Sequence, residues 1–145
     1  MRRVLSALAA LAIGGCVNQD LHLYEVRVHG SITAPSLPDA EGELHVVFHR
    51  ARAGEGATSH PLGPFDASVL DGPGPLDETI LVPTDDGEGL VIYAWLDLDG
   101  DGALCAPGGA VEPAGLIEVD KFPRHDVAID LELGSNCAGP EALYP

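Results

Sequence analysis

The chain has 145 residues, with 7 Lys and Arg against 23 Asp and Glu, for a formal charge of −16 and a pI near 4.3. Basic residues so few and so scattered exclude a nucleic-acid binder, which needs clustered Arg and Lys against phosphate. Apolar residues make up 46% and the mean hydropathy is +0.14, too apolar for an acidic disordered tail, and the length suits one domain.

The first element is not part of the fold. Residues 1–16, MRRVLSALAALAIGGC, place Arg2 and Arg3 before an apolar run from Val4 to Ile13, then Gly14 and Gly15 before Cys16. That is the order of an export signal, and a run of about ten residues is too short for the roughly 20 that span a bilayer as a helix. The segment Leu11-Ala12-Ile13-Gly14-Gly15-Cys16 resembles the lipobox of bacterial lipoproteins. The resemblance implies cleavage before Cys16 and lipidation of its thiol, with a signal peptide over 1–15; the other reading is an ordinary secretory signal. Val17 rather than Asp follows the cysteine, which in such lipoproteins implies the outer membrane. Loss of Arg2 and Arg3 leaves 5 basic against 23 acidic side chains, a formal charge of −18, so membrane contact is expected through the lipid alone. Residues 16–20 form a short lipidated tether, and four extended residues reach at most about 14 Å, which predicts a membrane-proximal domain over 21–137.

Beyond the tether, apolar residues recur with period two in short bursts bounded by Gly, Pro and Asp, and no helical stripe appears. Strands are predicted over Leu21 to His29, with Tyr24, Val26 and Val28 on one face, and over Glu43 to Arg50, with Leu44, Val46 and Phe48 inward and His45, Val47 and His49 outward. Further strands follow at Phe65 to Leu70, Glu78 to Val82, Leu90 to Leu96, Leu116 to Val119 and Asp126 to Leu133. Residues 51–76, rich in Gly, Pro and Asp around Phe65, read as the long variable connection. Leu90 to Leu96 is apolar on both faces and is expected at a sheet centre, with Trp95 as a core anchor. Residues 138–145 read as an irregular tail. These elements predict an all-β antiparallel sandwich, Ig-like or transthyretin-like, of about seven strands.

Residues 88–114, EGLVIYAWLDLDGDG running on to Val111-Glu112-Pro113-Ala114, resemble transthyretin-like and carboxypeptidase-regulatory-like sandwich domains, in which a strand leads into an acidic Gly-rich loop. The resemblance implies the sandwich and no activity.

Within that stretch, Asp97-Leu98-Asp99-Gly100-Asp101-Gly102 has the alternation of a calcium loop's first half, in which carboxylates at positions 1, 3 and 5 converge and Gly at 6 makes the turn. Asp97, Asp99 and Asp101 are the candidate ligands, with the Ala103 carbonyl at position 7. Position 12 is Gly108 rather than Glu and the flanks are not helical, so the loop is no EF-hand; Glu112 is the candidate that closes it. The other reading is a solvated Asp-Gly turn. A calcium ion here would be structural, because no nucleophile accompanies it.

With Cys16 assigned to lipid, Cys105 and Cys137 remain in an oxidising compartment and are expected to pair rather than to serve as nucleophiles. His45 and His49 share a face but sit about 13 Å apart, so a shared ion would require His22 or His29 from a neighbouring strand, and solvated imidazoles are the expectation. His60 and His125 have no evident partner. No catalytic motif occurs, Lys121 stands alone, and Asp85 and Asp86 fall in a turn.

The sequence therefore predicts a non-enzymatic envelope or surface lipoprotein with a structural calcium loop, anchored through lipid and acting as an adaptor for another envelope protein. The alternative is a binder of a small molecule, carbohydrate or metal, which a pocket lined by Trp95 or Tyr93 would favour; a hydrolase would need a nucleophile near Asp97.

Overall fold

The computed structural model describes residues 23–52, 62–83, 88–134 and 137–144. The signal segment, Cys16, the tether, His22, His60, Asp85 and Asp86 lie outside the described residues.

Among the described residues, seven strands form two sheets. They are β1 (Leu23–Thr33), β2 (Glu43–Arg52), β3 (Gly63–Leu70), β4 (Gly74–Pro83), β5 (Glu88–Asp97), β6 (Ala114–Glu118) and β7 (Asp126–Glu132), followed by one helical turn, α1 (Pro140–Leu143). One sheet has the order β4-β1-β7 and the other β3-β2-β5-β6. Every pair is antiparallel except β1 with β7, which run parallel from Arg27↔Asp126 to Thr33↔Glu132. The architecture is thus the expected all-β sandwich, with one parallel pair that local periodicity cannot reveal. An isolated bridge between Ala114 and Gly134 ties the start of β6 to the segment just after β7, and so links the sheets along one edge.

Alternation explains the core. Val26, Val28 and Ile32 of β1, Leu44, Val46 and Phe48 of β2, Leu76, Ile80 and Val82 of β4, and Val127, Ile129 and Leu131 of β7 are buried between the sheets. They meet Leu90, Ile92, Ala94 and Leu96 of β5. Burying each such side chain contributes roughly 1.5 to 3 kcal/mol, which sets the sandwich before any loop is considered.

The three largest departures from the expected boundaries each have a physical reason. β1 continues past His29 to Thr33. Gly30 looks like a stop signal, yet it lies inside the strand opposite Ile129, where an added Cβ would collide with the Ile129 carbonyl oxygen. β4 starts at Gly74 rather than Glu78, because the Gly74-Pro75 pair joins the ladder opposite Ile32 and Ser31. The described part of the region 51–76 is therefore mostly strand: β2 ends at Arg52, β3 occupies Gly63–Leu70, and only Asp71, Gly72 and Pro73 separate β3 from β4 in the other sheet. Pro64 is tolerated because β3 is an edge strand, next to a register shift at Phe48/His49.

The C-terminal segment, expected as an irregular tail, makes one turn of helix that packs on the sheet's outer face. Tyr144 is buried with Ala51, Leu62 and Val91, and Leu143 lies against Tyr93, Trp95 and Ala114.

Candidate functional site

The site grows from the outer face of the β2–β5 pair. Period two sends Leu90, Ile92, Ala94 and Leu96 to the inter-sheet core, and leaves Val91, Tyr93, Trp95 and Asp97 pointing the other way. Trp95 is thus buried, as expected of an anchor, but outside the inter-sheet core: it lies in a second cluster with Tyr93, Ala114, Val47, Leu104, Leu116 and Leu143. Its indole stacks on the His45 ring at 4.3 Å and 9°. The two residues are direct partners in the strand ladder, as are Glu43 and Asp97 two residues along on the same face.

Asp97 ends β5 and starts the acidic loop. Its carboxylate is 2% exposed and accepts N–H bonds from Gly100 at Oδ1 (2.7 Å) and from Gly102 at Oδ2 (2.9 Å). Gly100 and Gly102 have φ of 74° and 73°, a left-handed backbone that any Cβ would strain, so both Asp-Gly steps are needed for this wrap. Burial pushes the Asp97 carboxyl up, but the backbone N–H groups of Gly102, Gly100 and Asp101 and the Glu112 side chain outweigh it and hold it below its ordinary value.

Glu112 is the second hub and is fully buried. Its Oε1 accepts from Leu98 N (3.0 Å) and its Oε2 from Cys105 N (2.6 Å), while its main-chain carbonyl accepts from Cys137 N (3.2 Å). Asp99, exposed, accepts from Ala110 N at 2.8 Å. The result is a convergence of Asp97, Asp99 and Glu112, whose ligand atoms lie within 4.8 Å of one another. Asp101 does not join it. Asp101 sits between two left-handed glycines, is exposed, and accepts from the Ala103 N–H at 2.8 Å, so the calcium-loop alternation delivers two of its three expected carboxylates. Three oxygens from three carboxylates suit a hard cation such as Ca²⁺, which takes 6 to 8 oxygens in all.

Cys105 and Cys137 are joined by a disulfide, with Cα atoms 5.7 Å apart. It ties the acidic loop to the segment after β7, and Glu112 bonds the backbone of both half-cystines. Tyr93 completes this anchorage by donating its hydroxyl to the Ala138 carbonyl (3.0 Å); burial, then the Glu112 charge, push its phenol up to about 12.

The histidines are less solvated than expected. His49 is 5% exposed, edge-on to Tyr93, with neither ring nitrogen hydrogen-bonded among the described residues. Burial lowers its affinity for a proton, and the charge of Glu141 opposes this. His29 cannot join His45 or His49, because β1 belongs to the other sheet; it faces Asp126 at 3.0 Å. The groups His45 does meet are Glu43 and Asp97, each 3.9 Å from its Nε2. Nothing in the sequence pointed to that meeting, since it follows from the register that sets Glu43 opposite Asp97.

No protein family, curated protein or solved structure matches the chain. Among the described residues, no helix is long and apolar enough to cross a membrane.

Proposed function

We propose that the chain is a lipid-anchored, non-enzymatic envelope lipoprotein whose sandwich presents a calcium-stabilised loop to a partner away from the membrane. The observation that carries this reading is the convergence of Asp97, Asp99 and Glu112 at one end of the sandwich. β1 has 11 residues, about 36 Å of strand, and its far end pairs Ile32 with Gly74. Gly72, Gly42 and Asp97 follow one another around that same end. A tether at Cys16 enters at the Leu23 end, so the acidic loop faces the opposite way. The lipobox resemblance supports the anchor, and the outer-membrane expectation rests on Val17.

A small-molecule binder would need an accessible pocket at Trp95 or Tyr93. Both are packed beneath Leu143 and beside Leu104 and Leu116, which favours the adaptor reading.

Two measurements test the proposal. Cells fed labelled palmitate should acylate the wild-type chain and not Cys16→Ser, which should leave the membrane fraction; equal labelling of both rejects the anchor. For the loop, 10 mM Ca²⁺ at a Kd of about 10⁻⁴ to 10⁻³ M stabilises by about 1.4 to 2.7 kcal/mol, a rise of several degrees in Tm. Asp99→Asn should reduce that rise, and an unchanged wild-type melt rejects calcium.

A further inference from the structure

We propose that Glu43, His45 and Asp97 form a second cation site, selective for a borderline divalent ion of the Zn²⁺ class rather than for Ca²⁺. It goes beyond the calcium loop, with which it shares Asp97 but neither Asp99 nor Glu112.

Two features of the β2–β5 pair favour a cation between these side chains. The first is charge. Glu43 and Asp97 are direct partners across antiparallel strands, and like charges so placed repel. The second is an orphan atom. His45 Nε2 is sealed from solvent and makes no hydrogen bond among the described residues, although carboxylate oxygens of Glu43 and Asp97 each lie 3.9 Å away. That separation is too long for a hydrogen bond. It is close to the spacing of two ligands on one ion: around a tetrahedral Zn²⁺, bonds of about 2.0 to 2.1 Å set neighbouring ligands roughly 3.4 Å apart. The three ligand atoms all lie within 4.8 Å of one another, so closure by about half an ångström on the His45 side and by at most about 1.4 Å between the carboxylates completes the set.

The group is held in place unequally. Asp97 is fixed by its bonds to Gly100 and Gly102, and His45 by its stack on Trp95, while the Glu43 side chain is 68% exposed and free to swing inward. One imidazole and two carboxylates form a mixed nitrogen and oxygen donor set. Such a set suits Zn²⁺ or Co²⁺, whereas Ca²⁺ takes oxygen alone. Three protein ligands leave a further position for water or for a donor from a partner.

Trp95 makes the test direct, because it is the only tryptophan in the chain and lies on the His45 ring. Co²⁺ titrated into the purified full-length chain should quench Trp95 fluorescence, saturating at one ion per chain, with a visible absorption band of cobalt bound to nitrogen and oxygen. Zn²⁺ should displace it and millimolar Ca²⁺ should not. His45→Gln should weaken Co²⁺ binding about tenfold or more, and Asp99→Asn should leave it within about twofold. If His45→Gln fails to fold, Glu43→Gln, altered at an exposed carboxylate, should weaken binding comparably. Absence of quenching overturns the proposal, and so does quenching retained in His45→Gln or Glu43→Gln, or displacement by Ca²⁺ as effective as by Zn²⁺. The Ca²⁺ comparison is made in Asp99→Asn, because the two sites share Asp97 and calcium in the loop would compete for it.

Discussion

The β2–β5 pair is buried on both faces, by two different means. Its inner face is aliphatic and covered by the opposing sheet, strand against strand. Its outer face carries Trp95, Tyr93, His45, His49 and Asp97, and is covered by the acidic loop and the C-terminal turn, which a disulfide and the Tyr93 hydroxyl hold down. The residues that line the inner face from Leu44 to Phe48 and from Leu90 to Leu96 are apolar, and Arg50, the ladder partner of Leu90, borders them. The outer face gathers the buried titratable groups, and with them every candidate for chemistry. An aliphatic layer between sheets fixes the fold, whereas a layer roofed by loops can accommodate charges because backbone N–H groups reach in to meet them.

The largest expected effect tests whether the inner face sets stability. Phe48, 1% exposed between the sheets, should cost about 3 to 5 kcal/mol as Phe48→Ala in urea unfolding. A loss below about 1 kcal/mol would show that the roofed face, not the sandwich core, dominates. The next effect belongs to the roof. Replacing both Cys105 and Cys137 by Ala opens a loop of 32 residues and should cost roughly 3 to 4 kcal/mol in the chain-entropy model, with added exposure of Trp95 to an aqueous quencher. A stability loss with Trp95 still shielded would mean that Glu112 and Tyr93 hold the roof without the bridge.

The smallest effect is a pH dependence confined to the outer face. Burial lowers the His49 pKa in the folded chain, against about 6.5 when unfolded. Between those values the unfolded chain binds the extra proton. The contribution of the neutral ring is therefore fully present above about pH 6.5 and is lost as pH falls through the folded-state value. His49→Phe should lose less stability than the wild type between about pH 7 and pH 5, measured by urea midpoints. Equal losses would place the acid sensitivity elsewhere.

Most of the inner face was legible in the sequence, because alternation such as Val127, Ile129, Leu131 is a local property of a half-buried strand. Gly30 and the Gly74-Pro75 pair misled for the same local reason: they are turn formers in isolation, and only their partners across the ladder keep them in strands. The acidic loop was half legible. Asp97 and Asp99 converge as their spacing suggested, and Glu112 joins from 15 residues further on. Asp101 turns away, because both left-handed glycines flank it and its carboxylate caps the Ala103 N–H.

By itself the sequence determined the all-β class, the positions of seven strands and the presence of a paired Cys105 and Cys137, since each depends on residue type and short spacing. Tertiary structure decided the parallel β1–β7 pair, the second cluster around Trp95 and the meeting of Glu43, His45 and Asp97. Those depend on register, and register is fixed by contacts between residues tens of positions apart, which no local pattern encodes.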